Sequence, residues 1–170
     1  MAEKDKAYYF HQTPKDLAKT LVEMCPIEEN DIVIEPFKGE GAFYDAFPQN
    51  CRKEWAEITE GKDYKDITRA YDWVITNPPF RLQTNQTKRI NSFWLLLDYY
   101  AQRARKGIGF LANDRCFSVF TPKRIEYLKE MGWEITKICC CSVKKWRGRY
   151  YFIILQRKPA GFFLCLKENY

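Results

Sequence analysis

The stretch DIVIEPFKGEG at residues 31–41 combines a hydrophobic β-strand with a glycine-containing turn. Its β-branched residues are followed by Pro36, which ends the strand, and Gly39 and Gly41 then allow the backbone to turn sharply. The chain resumes as a short helix over residues 42–47. A strand, a turn and a helix in this order indicate a unit of a parallel sheet, and ligands bind at such turns. A G-x-G spacing by itself favours an ordinary strand-to-helix turn without a ligand.

Strand and helix signals alternate along the rest of the chain. Further strands are predicted over residues 54–58, 73–76, 108–112, 134–143 and 150–156. Helices are predicted over residues 14–25, 91–106 and 121–132, and Thr13 is the predicted N-cap of the first. This order indicates an α/β fold whose mainly parallel sheet ends in a C-terminal antiparallel hairpin. No repeat or linker interrupts the chain, so residues 1–170 are predicted to form one domain without a separate target-recognition domain.

Cysteine, histidine and hydrophobic content exclude several functional classes. The seven cysteines include no C-x-x-C pair and His11 is the only histidine, so we expect no metal site and no histidine-based triad. No apolar run approaches the roughly 20 residues of a membrane helix, and residues 1–6 are charged, unlike a secretory signal. We therefore expect an intracellular protein, cytoplasmic or nuclear, that does not associate with a membrane.

Charge is divided unevenly between the two halves of the chain. Residues 1–80 contain 10 Lys/Arg and 16 Asp/Glu, a net charge of −6, whereas residues 81–170 contain 18 and 6, a net charge of +12. Lysine and arginine side chains that neutralise phosphates displace condensed counterions, so a basic half indicates a polyanionic partner. A solvated surface that only favours solubility explains the same charge equally well.

The second informative motif is DWVITNPPF at residues 72–80. Asn77 and Pro78 each precede a proline, so their backbones are kept out of the helical region and the loop is stiff. The Asn77 side-chain oxygen and the Pro78 carbonyl can each accept one hydrogen from a planar amino group, and Phe80 can stack on the ring that carries it. The alternative is a rigid turn in which Asn77 only bonds its own backbone.

The two motifs together resemble those of the class I S-adenosylmethionine-dependent methyltransferases, in the branch that modifies the N6 amino group of adenine. The E-P-x-x-G-x-G stretch is similar to the cofactor motif of that family, and N-P-P-F is similar to its catalytic motif. The order of motifs resembles the gamma arrangement, because an aromatic-Thr-Pro segment precedes both. The resemblance covers roughly residues 8–156 and implies a Rossmann-like fold with S-adenosyl-L-methionine as cofactor. It assigns catalysis to Asn77, Pro78, Pro79 and Phe80.

The resemblance also implies which residues bind the cofactor. They are Phe10 and Thr13 in the aromatic-Thr-Pro segment, Glu35, Pro36, Gly39 and Gly41 in the glycine turn, Glu57 for the ribose hydroxyls, and Asp63 and Tyr64 for the adenine. A carboxylate can accept from two hydroxyls, and an aromatic ring gives adenine a stacking face. Because few residues separate Glu57 from Asp63, the family's usual helix and third strand are shortened or missing here. The ribose ligand is therefore either Glu57 or Glu60, and both are also compatible with plain surface carboxylates.

The leading hypothesis is a methyltransferase acting on the N6 amino group of adenine in DNA or RNA. Its candidate nucleic-acid contacts are Arg81, Lys88 and Arg89 after the N-P-P-F motif, and Lys144, Lys145, Trp146, Arg147 and Arg149 in the hairpin turn. Basic residues around an aromatic side chain suit a backbone groove with a stacking platform. A solvated hairpin with a half-buried Trp146 is nearly as compatible with the same residues. A protein partner could supply the sequence specificity that a single domain lacks.

Two alternatives remain open at the level of sequence. N-P-P-aromatic motifs also serve protein glutamine N5 methyltransferases, although the basic charge and the phenylalanine at position 80 favour adenine. A non-catalytic, methyltransferase-like module that binds nucleic acid is the other alternative, and the intact Asn77 and Gly41 argue against it.

Overall fold

The computed structural model describes residues 12–80, 92–144, 146 and 148–157. Its four α-helices are α1 (Lys15–Glu23), α2 (Ala42–Ala46), α3 (Ser92–Ala101) and α4 (Pro122–Glu130). Its six strands are β1 (Ile32–Glu35), β2 (Arg52–Trp55), β3 (Tyr71–Thr76), β4 (Ala104–Asn113), β5 (Trp133–Cys141) and β6 (Tyr150–Arg157). Short 3₁₀ turns occupy Ile58–Glu60, Tyr64–Asp66 and Asp114–Val119.

The six strands form one mixed sheet in the order β2-β1-β3-β4-β6-β5. β2, β1, β3 and β4 are parallel, whereas β6 runs antiparallel to both β4 and β5. The carboxyl ends of the parallel strands and the hairpin turn between β5 and β6 therefore lie at the same edge of the sheet. The α/β architecture with a C-terminal antiparallel hairpin that the sequence predicts is confirmed.

Helices cover both faces of the sheet, and two hydrophobic clusters fill the space beneath them. One cluster joins α1 and α2 to Trp73 and Ile75 of β3, and the other joins α3 and α4 to Val74 of the same strand. Successive side chains of a strand point to opposite faces, so this alternation places β3 in the middle of the molecule. All six residues of β3 are buried.

Buried acids hold the amino ends of the central strands. Asp72 accepts a hydrogen bond from the Ile32 N–H at 2.9 Å and pairs with Arg105 at 3.0 Å. Asp31, which is 4% exposed, pairs with Lys106 at 2.7 Å. Since buried carboxylates are stable only when paired, these contacts help to fix the register of β1, β3 and β4.

Three details of the sequence-based prediction are wrong. α3 ends at Ala101 rather than near Lys106, because the chain from Ala104 pairs with β3 and its later part with β6, and this tertiary pairing overrides the helical pattern. The N-cap of α1 is Pro14 and it makes no side-chain capping bond, so Thr13 is not the cap. β2 ends at Trp55, and Glu57 caps a 3₁₀ turn instead of ending a strand.

The connection from β2 to β3 contains no helix and no strand, as its short length indicates. It consists of two 3₁₀ turns, Ile58–Glu60 and Tyr64–Asp66, with Glu57 and Lys62 joined by an isolated bridge. β2 is consequently one edge of the sheet, and β5 is the other. No helix in the described part of the chain combines the length and apolar character needed to traverse a bilayer.

Gly107 permits the closest packing in the core. It is paired in register with Trp73, and a Cβ atom at Gly107 would lie 2.1 Å from the Trp73 ring. We expect Gly107→Ala to reduce the free energy of unfolding in urea by about 2–3 kcal/mol, because the overpacked ring must move. In a Trp73→Leu background the same change should cost clearly less. Equal costs in the two backgrounds would contradict this steric explanation.

Candidate active site

The carboxyl ends of β1, β2 and β3 bring the sequence motifs together at one edge of the sheet. Glu35 is the last residue of β1, the segment after β2 carries Glu57, and Asn77 follows β3 directly. β1 pairs with β2 on one side and with β3 on the other. Motifs that are more than 35 residues apart in sequence are therefore neighbours at this edge.

Glu35 is a buried carboxyl group, with 2% of its surface exposed. Burial raises its pKa to about 9, against the opposing effect of a hydrogen bond that its Oε2 accepts from the Tyr44 N–H at 2.6 Å. A carboxyl group with this pKa is protonated at neutral pH. A cationic group placed beside it would favour the ionised form, so the position suits an ammonium ligand.

The glycine turn has the backbone conformation that its sequence predicts. Gly39 and Gly41 both have positive φ, 51° and 83°, in the region that side chains disfavour. A Cβ atom at Gly41 would meet only ordinary contacts, the nearest being Asp45 Oδ1 at 3.7 Å, so the requirement for glycine there is conformational. The Gly39 N–H donates to Glu57 Oε2 at 2.8 Å, which fixes the turn to the segment after β2.

Glu57 is buried and accepts three hydrogen bonds. Its Oε1 accepts from the backbone N–H and the hydroxyl of Thr59, at 3.1 and 2.8 Å, and its Oε2 accepts from Gly39. Burial alone would raise the pKa of Glu57, but these hydrogen bonds outweigh it and the pKa lies below its ordinary value. A carboxylate has about four acceptor positions, so Glu57 retains room for one further donor rather than for two.

Glu60, the other candidate for the ribose, occupies a different environment. It is exposed and pairs with Lys38 at 2.6 Å, and the Lys38 ammonium also lies 3.9 Å from the centre of the Trp55 ring. Of the two acids, Glu57 accepts from the backbone of the glycine turn at Gly39, whereas Glu60 pairs with the side chain of Lys38 in that turn.

Asp63 and Tyr64 begin a 3₁₀ turn beside the same edge. Asp63 accepts from the Lys65 N–H at 2.9 Å and its own N–H donates to Asp66, so it is part of a capping box. The Tyr64 ring packs against Phe37 and Tyr99, with ring centres 5.3 Å apart in each case. Tyr64 is thus held in a cluster of aromatic rings next to the residue that follows Pro36.

The N-P-P-F loop is anchored at two points. The Asn77 side-chain nitrogen donates to the Thr13 hydroxyl at 3.4 Å, a bond that does not use the Asn77 oxygen. The Ser92 hydroxyl, at the start of α3, donates to the Pro79 carbonyl at 2.6 Å. Pro78 is buried, whereas Asn77 and Phe80 are half-buried, and Phe80 packs against the cluster that contains α1.

Among the described residues of the hairpin turn, two cations are exposed at this edge of the sheet. Lys144 and Arg149 are exposed, and Trp146 is half-buried with its ring centre 4.4 Å from that of Tyr150. The Arg149 carbonyl accepts from the Asp114 N–H at 3.0 Å, which fixes the end of the turn. Trp146 is half-buried, as expected for a solvated hairpin that binds no nucleic acid. Its capacity to stack on a base stays a prediction.

Sequence reasoning missed several residues that shape the site. Phe37 occupies a variable position within E-P-x-x-G, and its contact with Tyr64 joins segments 27 positions apart. Ser92 could have been suspected, since small polar residues often begin helices. Six of the candidate residues, Phe10, Arg81, Lys88, Arg89, Lys145 and Arg147, lie outside the residues that the structure describes.

Comparisons with known proteins find solved structures of similar fold but no matching family model or curated sequence. No protein-family model and no curated protein sequence matches this chain. TrmN from Thermus thermophilus is similar in structure with a TM-score of 0.61 at 12% identity, over 92% of this chain and 52% of TrmN. The methyltransferase subunit of a type I restriction-modification system from Streptococcus thermophilus has a TM-score of 0.61 at 14% identity, over 89% of this chain and 45% of that subunit.

A third similar structure is the Mtq2–Trm112 complex of E. cuniculi. One of its chains matches with a TM-score of 0.54 at 16% identity, over 88% of this chain and 99% of that chain. The present chain thus spans about half the length of TrmN and of the restriction-modification subunit. The fold is the Rossmann-like fold of these methyltransferases, a six-stranded, mostly parallel sheet with a C-terminal antiparallel pair.

The bond from Ser92 to Pro79 leads to a prediction about the loop. Ser92→Ala leaves a carbonyl without its partner in a buried setting, and we expect the free energy of unfolding in urea to fall by about 1–2 kcal/mol. Ser118→Ala is the matched control, because the Ser118 hydroxyl makes a similar bond to Arg115 at an exposed position. An effect at Ser92 no larger than that at Ser118 would show that the anchor is energetically unimportant.

The buried carboxyl of Glu35 leads to a prediction about pH. Its pKa is about 9 in the folded protein and near 4.5 in the unfolded chain, so between these values only the folded state holds the proton. Its contribution to stability is therefore complete below about pH 4.5 and is lost as the pH rises towards 9. Glu35→Gln, which cannot titrate, should gain stability relative to wild type by a few kcal/mol between pH 5 and 9.

The measurement for Glu35 is urea unfolding of both proteins at several pH values. Glu23→Gln, at an exposed glutamate of α1, serves as the control and should follow the wild type. Parallel pH profiles for wild type and Glu35→Gln would disprove the protonated state of Glu35.

Proposed function

We propose that this protein is an S-adenosylmethionine-dependent methyltransferase acting on the N6 amino group of adenine in DNA or RNA. The observation that carries the proposal is the position of the N-P-P-F loop, which follows β3 beside the glycine turn and Glu35. Thr13 and Ser92 hold this loop from two directions. A stiff acceptor loop beside a cofactor turn can hold an amino group in line with a methyl donor.

The residues present fit S-adenosylmethionine. Glu35 would be ionised by the cationic amino group of the cofactor's methionine end and would pair with it. The glycine turn allows close approach of a ligand, and Glu57 retains an acceptor for one ribose hydroxyl. Tyr64 and Phe37 offer aromatic faces to an adenine. When bound, the cofactor supplies an electrophilic methyl group on its sulfonium.

The chain's own contribution to the reaction is orientation of the target amino group. The N6 lone pair of adenine is delocalised into the ring, so removing a proton before attack gains little. In the proposed mechanism the Asn77 oxygen and the Pro78 carbonyl accept the two amino hydrogens, which favours a more pyramidal and more nucleophilic nitrogen. Phe80 stacks on the base. The carbon–sulfur bond of the cofactor would break as the carbon–nitrogen bond forms, which would leave a neutral thioether, and the surplus proton on nitrogen would then pass to water.

The substrate surface is proposed to be the basic side of the same sheet edge. Lys144 and Arg149 are exposed there, and the second half of the chain carries a net charge of +12. Such a surface attracts phosphates without reading sequence. A base in a duplex must be flipped out to reach the loop, so an unpaired adenine is the easier substrate.

A protein substrate is the second candidate. The chain resembles in structure a chain of the Mtq2–Trm112 complex, which is described as responsible for methylation of the translation termination factor eRF1. The N-P-P-aromatic loop would present the same acceptors to a side-chain amide as to an adenine. The basic charge of residues 81–170 favours nucleic acid over this alternative.

The test uses radiolabelled S-adenosylmethionine with three single-stranded oligonucleotides and a protein pool. The oligonucleotides carry adenine, N6-methyladenine or purine without the amino group at otherwise identical positions. We expect label only in the adenine strand. Equal labelling of the substituted strands would overturn the adenine assignment, and label confined to protein would favour the amide substrate. The absence of cofactor binding in calorimetry would instead favour a non-catalytic binding module.

The loop leads to a specific kinetic prediction. Asn77→Ala should lower turnover by about 10²–10³, the scale for losing one preorganised polar contact, while the dissociation constant of the cofactor stays unchanged. Asn50→Ala, at an exposed asparagine, is the matched control and should keep full turnover. Wild-type turnover in Asn77→Ala would show that the loop has only a structural role.

A further inference from the structure

A cavity of about 430 Å³ lies at the amino end of β3, at the opposite edge of the sheet from the candidate active site. One wall is the chain that leads into β3, and the other is formed by Tyr99 of α3 and by Arg103 beyond its end. This cavity accompanies the short connection between β2 and β3, which provides no helix to cover the region. Ligand cavities in proteins measure roughly 300–1,000 Å³, so a nucleotide-sized molecule fits.

Cations dominate the lining of this cavity. Lys65, Arg69 and Arg103 line it. Arg69 also pairs with Glu54 at 3.7 Å, so part of its charge is already compensated. The Arg103 guanidinium lies 3.7 Å from the centre of the Tyr99 ring and donates one N–H to the Tyr99 carbonyl at 2.9 Å, which holds it in place. A guanidinium has five N–H donors, so this bond uses only a part of its capacity.

Tyr71 also lines the cavity, and its hydroxyl lies buried beneath the lining. Tyr71 is 2% exposed, and its hydroxyl has no hydrogen-bond partner within the described residues. Burying a hydroxyl without a partner is unfavourable, and an acceptor atom in the cavity would remove this cost. The cations and the hydroxyl can all donate hydrogen bonds, which matches a ligand group made only of acceptors.

We propose that this cavity binds the phosphate group of a nucleotide. Lys65 and Arg103 supply most of the neutralising charge, because Arg69 is shared with Glu54. The Tyr71 hydroxyl donates to one of the phosphate oxygens once the ligand moves the side chains that cover it. The six residues of β3 separate the cavity from Asn77 by roughly 20 Å. In a nucleic-acid strand, a phosphate held here belongs to a nucleotide several positions from the target base. The version with a nucleic-acid strand rests on the proposed function. The version with a free mononucleotide does not, because the phosphate alone is recognised.

The test uses two probes that contain no adenine, so that it is independent of adenine methylation. Cytidine 5′-monophosphate is titrated by calorimetry, and a labelled oligocytidine of about ten nucleotides is titrated by fluorescence anisotropy. Arg103→Gln and Tyr71→Phe should each weaken binding by about tenfold, the effect of losing one hydrogen bond to a charged group. Lys19→Gln, at an exposed lysine of α1 on the other face of the sheet, is the control and should change binding by less than about twofold.

The two probes distinguish the sources of the phosphate. If both probes bind wild type and the variants weaken both, the cavity recognises any nucleotide phosphate. If only the oligocytidine binds and the variants weaken it, the cavity contacts the nucleic-acid backbone. The inference is overturned if Arg103→Gln and Tyr71→Phe bind both probes as tightly as wild type. It is also overturned if S-adenosylhomocysteine displaces the mononucleotide, because the cavity would then belong to the cofactor site. Should Tyr71→Phe prove unstable, Lys65→Gln takes its place, because Lys65 lines the cavity at an exposed position.

Discussion

β1 pairs in parallel with β2 on one side and with β3 on the other, and the candidate site follows from this pairing. Parallel strands must end at the same edge, so the acid of β1, the segment after β2 and the loop after β3 are brought together regardless of their separation in sequence. The hydrogen bond from the Gly39 N–H to Glu57 then joins the turn after β1 to the segment after β2. The hairpin turn reaches the same edge because β6 begins where β4 ends.

Two glutamates at this edge have pKa shifts in opposite directions, because burial dominates at Glu35 and hydrogen bonding dominates at Glu57. Glu35 accepts a single backbone bond in a buried setting and its pKa is raised, whereas Glu57 accepts three and its pKa is lowered. One acid is therefore neutral and the other ionised at the same pH. A cationic ligand would be needed to ionise Glu35 at neutral pH, whereas Glu57 is ionised without one.

The sequence predicts the parts of the molecule that local chemistry determines. The glycine turn, the strand before N-P-P-F and the terminal hairpin are confirmed, because proline, positive φ and alternating hydrophobic residues leave few conformations. The end of α3 could not be predicted, since residues after Ala101 are helical in pattern and become a strand only through pairing with β3 and β6. The Thr13 hydroxyl likewise meets Asn77 across 64 positions, a contact that no local pattern shows.

The short connection between β2 and β3 adds no further strand beside β2, so β2 and β5 are the two outermost strands of the sheet. β2 is an edge of only four residues, three of which are charged, and such strands resist pairing with another chain. β5, the opposite edge, has nine residues and exposes Ile138 and Cys140. Within the part of the chain that the structure describes, β5 is therefore the strand where unwanted strand-to-strand association and oxidative cross-linking would begin, and β2 is the better protected of the two edge strands.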